Sequence, residues 1–431
     1  RELETSRPVP HCGGRARISL WCEALVKSGR RCLDEARILT FLEGAQRAGA
    51  MEQAELELLG ACLRAALTAE LARVCEGPLS AERMRVVFSS LRYLASASVA
   101  ETAERANLVE RTLRLDPSGV YARMDADSRA QYRARISYLA GKEKMPETGA
   151  AALAVELASR SEGARAHVGW WLFREPMGKR APQRSGGIYI SFIVLAAAFM
   201  SVLAGFVSGS ALASALLALP AWELAKSIAD CAALHMTGPR RLPRLELESG
   251  LPEEGKTLCA VSAILPDEET AERLVQRLEE NALLSRSCGK GLLFALLADL
   301  PESEAEKYPD AEKILSAARR AVERLNECHG GGFYLLTRQR VLFDGRWMGR
   351  ERKRGAIEAA MLYLRGKKSE IVCAAGDESA LSDVKFLLCL DSDTRVTPDS
   401  VKKLVGAMLH PLCRPEMDEK HRLVRAGHGM L

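Results

Sequence analysis

The sequence predicts an α/β domain with a mostly parallel sheet, preceded by an α-helical bundle and a transmembrane helical hairpin. Three observations carry this prediction. Leucines recur at helical spacing in the first part, the 38 residues 185–222 carry no charge, and apolar runs alternate with helical stretches in the last part. We place the helical region at residues 1–184, the hairpin at 185–235 and the α/β domain, incomplete at its carboxyl end, at 236–431.

The charge and the cysteines exclude some classes of protein. A net charge of +5 over 431 residues is too small to indicate a nucleic-acid partner. The twelve cysteines form no Cys-x-x-Cys pair and show no histidine spacing typical of zinc sites, which indicates reduced thiols in a cytosolic compartment. Because no domain end is recognisable before Leu431, we expect the chain to be part of a longer protein.

The first part shows the periodicity of amphipathic helices. Apolar residues of one predicted helix recur three or four positions apart, at Leu56, Leu59, Leu63, Leu67, Leu71 and Val74. Asp125 is a candidate cap for a helix that runs to about Leu139, and an alanine-rich helix is predicted at 148–159. A site is conceivable in this region, but packing and capping are the roles that we favour for Tyr121, Arg129, Tyr132 and Arg133.

The uncharged stretch is too long for one membrane crossing. At ~1.5 Å per residue one helix of this length spans roughly 57 Å, nearly twice the ~30 Å hydrocarbon core of a bilayer. We therefore predict a first span at 188–207, a turn at Ser208-Gly209-Ser210 and a second, weaker span from Ala211 to about Cys231. The latter half of the second span could instead lie in the membrane interface.

The charges beside the stretch predict its orientation. Lys179, Arg180 and Arg184 precede it, and Arg240, Arg241 and Arg244 follow it. Positive charge marks the cytoplasmic side, so both flanks are expected there, with an even number of crossings. The alternative is a buried hairpin in the core of a soluble protein, which the absence of charge over 38 residues disfavours.

The last part alternates between strands and helices. Strands are predicted at 257–265, 291–298 and 333–336, with helices at 268–284 and 302–328 between them, and a further strand leads into Asp391. This order is typical of a parallel sheet with Rossmann-like winding. Asp299, which follows the second strand, is therefore expected at the same edge of the sheet as Asp391 and Asp393.

Asp391-Ser392-Asp393 is the candidate metal site. The apolar run 386–390 predicts a central strand buried on both faces, and open α/β sheets bind ligands beyond the carboxyl ends of their strands. Two carboxylates together with substrate phosphates suit a divalent cation. The 56 acids would form roughly seven such triplets by chance, so the surrounding sequence must decide which triplet is a metal site. Asp125-Ala126-Asp127, at a helix start, is a decoy.

An alternative role for the two acids is a solvated cap on the next helix, predicted at about 398–408. Thr397 is the predicted cap of that helix, with Pro398 in its first turn. A second candidate feature is the basic loop 345–355, which contains Arg352 and Lys353 and precedes a helix predicted at 356–364. Basic residues beside a glycine at a helix start favour a diphosphate, although the same charges could attract anionic headgroups.

At these residues the chain resembles the glycosyltransferase part of cyclic β-1,2-glucan synthases, glycosyltransferase family 84. The resemblance extends from about Val87 to the end of the chain, and several separate stretches carry it. They are residues 116–133, 166–170, 239–245, 294–299, 347–355, 390–395 and 410–415. The combination is specific, whereas the Asp-x-Asp triplet alone would not be.

The resemblance implies a multi-pass glucosyltransferase of the bacterial inner membrane whose GT-A domain faces the cytoplasm. It implies transfer of glucose from UDP-glucose to a growing β-1,2-glucan chain, with inversion and with Mg²⁺ or Mn²⁺ as the cofactor. By this match Asp391 and Asp393 hold the metal, Asp299 contacts the nucleotide, and Arg352 and Lys353 contact the phosphates.

The resemblance also identifies what the sequence leaves open. Inverting transfer needs a general base within hydrogen-bond reach of the acceptor hydroxyl, and the family's base is expected beyond residue 431. The alternatives are a nucleotide-sugar-binding part without turnover and a non-catalytic membrane scaffold. Nucleotide binding would distinguish the scaffold from the other two, and glucose transfer would distinguish enzyme from binder.

Overall fold

Helices build the first of the two units into which the chain divides, Arg1–Arg241, and a five-stranded sheet is at the centre of the second, Leu242–Leu431. The computed structural model describes residues 9–28, 31–77, 80–96, 99–179, 187–236 and 241–431. The predicted division into three parts, with borders near residues 184 and 235, stays a prediction.

The first unit begins with a short antiparallel pair, β1 (His11–Cys12) and β2 (Arg15–Ala16). Its helices before the hairpin are α1 (Arg17–Ser28), α2 (Glu35–Ala48), α3 (Gln53–Glu76), α4 (Ala81–Ser96), α5 (Val99–Ala106), α6 (Leu108–Leu113), α7 (Ala126–Glu143) and α8 (Glu147–Ser159). The predicted stripe on α3 is buried at Leu56, Leu59, Leu63 and Leu67, in a core that α3 forms with α1, α4 and α5. The amphipathic pattern therefore identified the core of this region.

The predicted caps and ends of these helices are mostly confirmed. Asp125 caps α7, since its Oδ1 accepts the backbone N–H of Ser128 at 2.9 Å. The helix continues beyond Leu139 to Glu143 and ends where Lys144 takes a left-handed conformation, at φ +53°. The alanine-rich helix is observed as α8, with Ala150, Ala151, Ala154 and Ala158 buried.

The uncharged stretch forms two antiparallel helices, α9 (Gly187–Ser208) and α10 (Ala211–Met236). Gly209 turns the chain between them at φ +63°, and Ser214 Oγ donates to the Ser201 carbonyl at 2.8 Å. Both helices are long and apolar enough to cross a membrane. Only 17% and 11% of their most apolar windows is buried, so in the described part of the chain they are not core helices.

The second unit contains the remaining elements. Its strands are β3 (Thr257–Ile264), β4 (Leu292–Asp299), β5 (Phe333–Arg338), β6 (Val341–Phe343), β7 (Arg346–Met348), β8 (Ile371–Ala375), β9 (Phe386–Asp391), β10 (Glu416–Asp418) and β11 (Leu423–Ala426). Its helices are α11 (Glu268–Leu284), α12 (Ala311–His329), α13 (Arg352–Leu364) and α14 (Ser400–Leu409).

The central sheet has the order β8-β5-β4-β3-β9, in which only β8 is antiparallel. The predicted mostly parallel sheet is therefore confirmed. In the register Ser262 of β3 lies opposite Asp391, and Ile264 of β3 lies opposite Asp299. The carboxyl ends of β4 and β9 thus meet at one edge of the sheet, on either side of β3, as predicted.

The structure corrects two expectations about the sheet. The sequence did not predict β8, a short strand whose Val372 is exposed. Among the described strands β9 lies at the edge rather than in the centre, and its residues up to Cys389 are only half-buried. An edge strand is paired on one side only, so its apolar run is covered less than the expected burial on both faces.

Three helices begin at other positions than predicted. The chain before α12 is held by a β-bridge between Ser303 and Trp347, so that helix begins at Ala311 rather than near residue 302. In contrast, α13 begins four residues earlier than predicted, which places Arg352 and Lys353 in its first turn. The prediction that Thr397 caps α14 is wrong, because Asp399 occupies the cap position at φ +62° and the helix begins at Ser400.

Candidate functional site

Asp391 and Asp393 are exposed at the end of β9, with Ser392 between them holding the turn. The backbone N–H of Thr394 donates to the Asp391 carbonyl at 3.0 Å, and Arg277 Nη1 donates to the Ser392 carbonyl at 2.7 Å. The alternative role as a cap on α14 is wrong, since the cap position belongs to Asp399. Both carboxylates are therefore available to a ligand in solvent.

The first turn of α13 lies beside this pair of acids. The ammonium group of Lys353 forms an ion pair with Asp391 Oδ1, and both side chains remain about half exposed. These two residues come from stretches that the sequence identified independently, one as a phosphate site and one as a metal site. The structure therefore brings a cation and the acidic motif together at the carboxyl edge of the sheet.

Asp299 occupies the end of β4 and is bound by a buried arginine. Arg338, at the end of β5, donates from Nε to Asp299 Oδ1 at 2.9 Å and from Nη2 to Oδ2, and its side chain has no solvent exposure. The same guanidinium donates to the backbone carbonyls of Arg350, at 2.7 Å, and Arg352, at 3.0 Å. Arg338, held by Asp299, thereby anchors the segment that leads into α13. The predicted nucleotide contact of Asp299 stays a prediction.

Two glycines allow this segment to pack on the ion pair. A Cβ atom on Gly349 would lie 2.2 Å from Arg338 Nη2 and 2.8 Å from Asp299 Oδ2. A Cβ atom on Gly355 would lie 2.0 Å from the Arg350 carbonyl oxygen. No side chain fits at such distances, so the basic segment depends on glycine at both positions.

The start of α13 is conformationally strained. Glu351 and Arg352 are consecutive non-glycine residues in the left-handed region, at φ +54° and +47°. Each such residue costs about 1–3 kcal/mol and persists only where the surroundings hold it. Arg338 supplies that support through its bonds to the carbonyls of residues 350 and 352.

The Arg352 side chain is already paired with an acid. Its Nη2 lies 3.1 Å from Glu302 Oε2, while Arg346 contacts the other oxygen of the same carboxylate at 3.0 Å. All three side chains are exposed, so the pairs are weak and exchangeable. The predicted phosphate contacts of Arg352 and Lys353 stay predictions.

Sequence reasoning missed Arg338. The third strand was predicted to end at Leu336, whereas β5 continues to Arg338 at the same edge as the candidate site. A basic residue two positions after an apolar run at a ligand-binding edge is a signal that could have identified it. Its partner Asp299 is 39 positions away, which no periodicity reveals.

The thiols near the site are protonated. Burial raises the pKa of the Cys389 thiol, although the Lys353 ammonium acts in the opposite direction. Burial also raises the pKa of Cys259, on the neighbouring strand, to about 12. Thiolates are the nucleophilic and metal-binding form of cysteine, so neither thiol is suited to these roles near neutral pH.

Asp391 and Asp393 are the candidate metal ligands at this edge of the sheet. In the described ranges no group of three or more His, Cys, Asp or Glu side chains could hold a metal ion by itself. Two exposed carboxylates nevertheless fit a hard divalent cation that takes its other oxygen ligands from a phosphate-bearing substrate and from water. The donor set therefore suits a shared metal rather than a metal bound by protein alone.

The chain was compared with known proteins. No protein-family model matches it. It is 30% identical over 453 aligned residues to the cyclic beta-(1,2)-glucan synthase NdvB of Rhizobium meliloti (strain 1021), a match that covers 94% of this chain and 16% of that protein. The chain thus spans about a sixth of the length of this relative. The comparison confirms the resemblance predicted from the sequence: the chain is similar to part of a cyclic β-1,2-glucan synthase.

Proposed function

We propose that this chain is the UDP-glucose-binding part of a glucosyltransferase that extends a β-1,2-glucan with inversion. The observation that carries the proposal is the pairing of Asp391 with Lys353 at the carboxyl edge of a mostly parallel sheet. The similarity to a cyclic β-1,2-glucan synthase supports the choice of glucan. The sheet order and the acidic motif after a strand support a GT-A domain.

The charges suggest how a sugar diphosphate is bound. A diphosphate is repelled by Asp391 and Asp393 unless positive charge lies between them. Mg²⁺ or Mn²⁺ held by these two carboxylates would neutralise the diphosphate and stabilise the departing UDP. Lys353 and Arg352 can exchange their exposed carboxylate partners for phosphate oxygens. Arg338, kept in place by Asp299, would orient the segment that carries both basic residues.

The proposal places the chain in a membrane. Helices α9 and α10 would cross the bacterial inner membrane as a hairpin, because α9 and the first half of α10 expose apolar side chains. The latter half of α10, which exposes Glu223, Lys226 and Asp230, would lie near the membrane interface. The basic flanks would lie in the cytoplasm, where UDP-glucose is available. We assign the general base of the transfer to none of the described residues, so turnover is expected of the longer protein.

Calorimetric titration with UDP, with and without Mn²⁺, tests the proposal. The unaltered chain should bind UDP only with the cation, and Asp393→Asn should weaken binding about tenfold or more, because a hard oxygen ligand is lost. Asp127→Asn is the matched control, an exposed acid in a second Asp-x-Asp triplet, and should change nothing. If the affinity for UDP changed neither with Mn²⁺ nor with Asp393→Asn, the metal assignment would be overturned.

A further inference from the structure

A cavity of about 430 Å³ lies among the helices of the first unit. Helices α3, α5 and α7 contribute to its wall. Its volume falls in the roughly 300–1,000 Å³ range of small-molecule sites. Its polar lining consists of Gln53, Glu57, Arg64, Glu104, Asn107 and Arg133.

Arg133 contributes a largely buried guanidinium to the wall of the cavity. The residue is only 8% exposed, and its Nη1 binds Glu110 at 2.6 Å and Glu104 at 3.4 Å. The guanidinium therefore lines the cavity as a largely buried cation that is paired with Glu104 and Glu110.

The arginine is held firmly in place. Glu110, 1% exposed, also accepts the Tyr121 hydroxyl at 2.6 Å and Arg114 Nε at 2.9 Å. Along the wall, Asn107 Nδ2 donates to Gln53 Oε1 at 2.8 Å. Gln53 Nε2 in turn donates to Glu57 Oε1 at 2.9 Å. The cavity therefore presents a fixed row of amide, carboxylate and guanidinium groups.

The lining indicates the chemical class of the ligand. Two arginines, Arg64 and Arg133, are matched by two acids, Glu57 and Glu104, so neither an anion nor a cation is favoured by charge. Amides and carboxylates accept hydrogen bonds while arginine donates them, which suits hydroxyl groups that do both. Apolar side chains, Leu56, Leu94 and Val99 among them, complete the wall and suit the C–H faces of a sugar ring.

We propose that this cavity binds a neutral saccharide, a short β-1,2-linked gluco-oligosaccharide. The choice of this sugar rests on the proposed function, whereas the preference for a neutral polyhydroxyl ligand rests on the cavity itself. The site would hold the glucan at a place distinct from the carboxyl edge of the sheet. The helical region would then bind the acceptor or the product of the transfer.

Gly60 offers a way to fill the cavity without breaking its polar network. A Cβ atom there would meet Arg64 Nη1 at 3.7 Å and Val99 at 3.8 Å, which are ordinary contacts beside the cavity. Gly60→Leu should therefore be tolerated, and leucine also has the higher helix propensity. Gly44→Leu is the matched control, since Gly44 lies inside α2, is exposed and has no atom within 4 Å of an added Cβ.

Calorimetric titration of the full chain with the β-1,2-linked glucose disaccharide and trisaccharide tests the inference. We expect binding by the unaltered chain and by Gly44→Leu, and a loss of at least tenfold in affinity for Gly60→Leu without a loss of thermal stability. UDP binding with Mn²⁺ should be the same in all three proteins, so failure of this site and failure of the proposed function are distinguishable.

Three outcomes would overturn the inference. One is the absence of saccharide binding by the unaltered chain. A second is saccharide binding that survives Gly60→Leu but disappears in Asp393→Asn, which would place the sugar at the sheet edge. The third is binding of inorganic pyrophosphate that competes with the saccharide and is lost in Gly60→Leu, which would make the cavity an anion site.

Discussion

Arg338 is the residue on which the geometry of the candidate site depends most. It neutralises Asp299, supports two strained residues through carbonyl contacts, and fills the space that Gly349 and Gly355 leave open. Its guanidinium has no solvent exposure, so its hydrogen bonds are not weakened by competing water. The side chain therefore couples the end of β4 to the start of α13.

Replacement of this arginine should be costly. Arg338→Met would leave the Asp299 carboxylate without its partner, and removing one member of a buried pair costs about 3 kcal/mol or more. We expect a lower midpoint in urea denaturation and weaker UDP binding. Arg324→Met is the control, because Arg324 and its partner Glu272 are both exposed and 3.7 Å apart. Equal effects of the two substitutions would contradict the role of Arg338.

A buried carboxylate in the helical region, Asp116, makes stability depend on pH. Asp116 accepts hydrogen bonds from His167 Nδ1 at 2.8 Å, from Ser118 Oγ at 2.6 Å and from the backbone of Tyr121 at 3.1 Å. Burial by itself raises the pKa of this carboxyl, but the hydrogen bond and charge of His167, together with the other donors, bring the pKa below its ordinary value of 3.8. The folded state thus favours the ionised form.

The sign of the pH dependence follows from the lowered pKa of Asp116. Its stabilising contribution is fully present above the unfolded pKa, ~3.9, and is lost as the pH falls through the lower folded value. The free energy of unfolding should therefore be higher for the unaltered chain than for Asp116→Asn at about pH 5 and above. The difference should shrink below about pH 4. Urea titrations followed by tryptophan fluorescence measure it, and a difference that grows on acidification would contradict the assignment.

At the scale of elements, the hydrophobic pattern predicted the order of strands and helices along the chain, but not which strands pair with each other in the sheet. A continuous apolar run such as that of β4, which is buried along nearly its whole length, is easily recognised as a strand in the sequence. Periodicity contains no information on strand order, so the edge position of β9 could not be derived from it. The strand β8 was missed because it is short and carries an exposed Val372.

The start of α13 shows why the candidate site was only partly predictable. Residue types and glycine spacing identified the basic segment and the two acids separately. The ion pair of Lys353 with Asp391 depends on a helix that begins four residues earlier than its propensities suggest. That earlier start requires left-handed residues held by Arg338, a long-range contact that local pattern cannot reveal.

At the scale of the whole molecule, the antiparallel contacts of α9 and α10 extend over the length of the hairpin. Tyr189 Oη donates to Asp230 Oδ1 near one end, and Gly205 packs against Ser214 near the other. Small residues in between, Ala197, Ala225 and Ala229, allow close approach of the two helices. A hairpin of this kind that crosses a membrane returns the chain to the side from which it entered.

The hairpin topology determines which parts of the chain can be reached from outside the cell. Because Lys179 precedes the hairpin and Arg241 and Arg244 follow it, tags inserted after Arg174 and after Pro243 should both be protected from a membrane-impermeant label in intact cells. A tag inserted after Gly209, in the turn between the helices, should react, and it serves as the positive control. If the two flanking tags were found on opposite sides, the stretch would cross once and one part of the chain would lie outside the cytoplasm. Protection of all three tags would instead place the hairpin on the membrane surface.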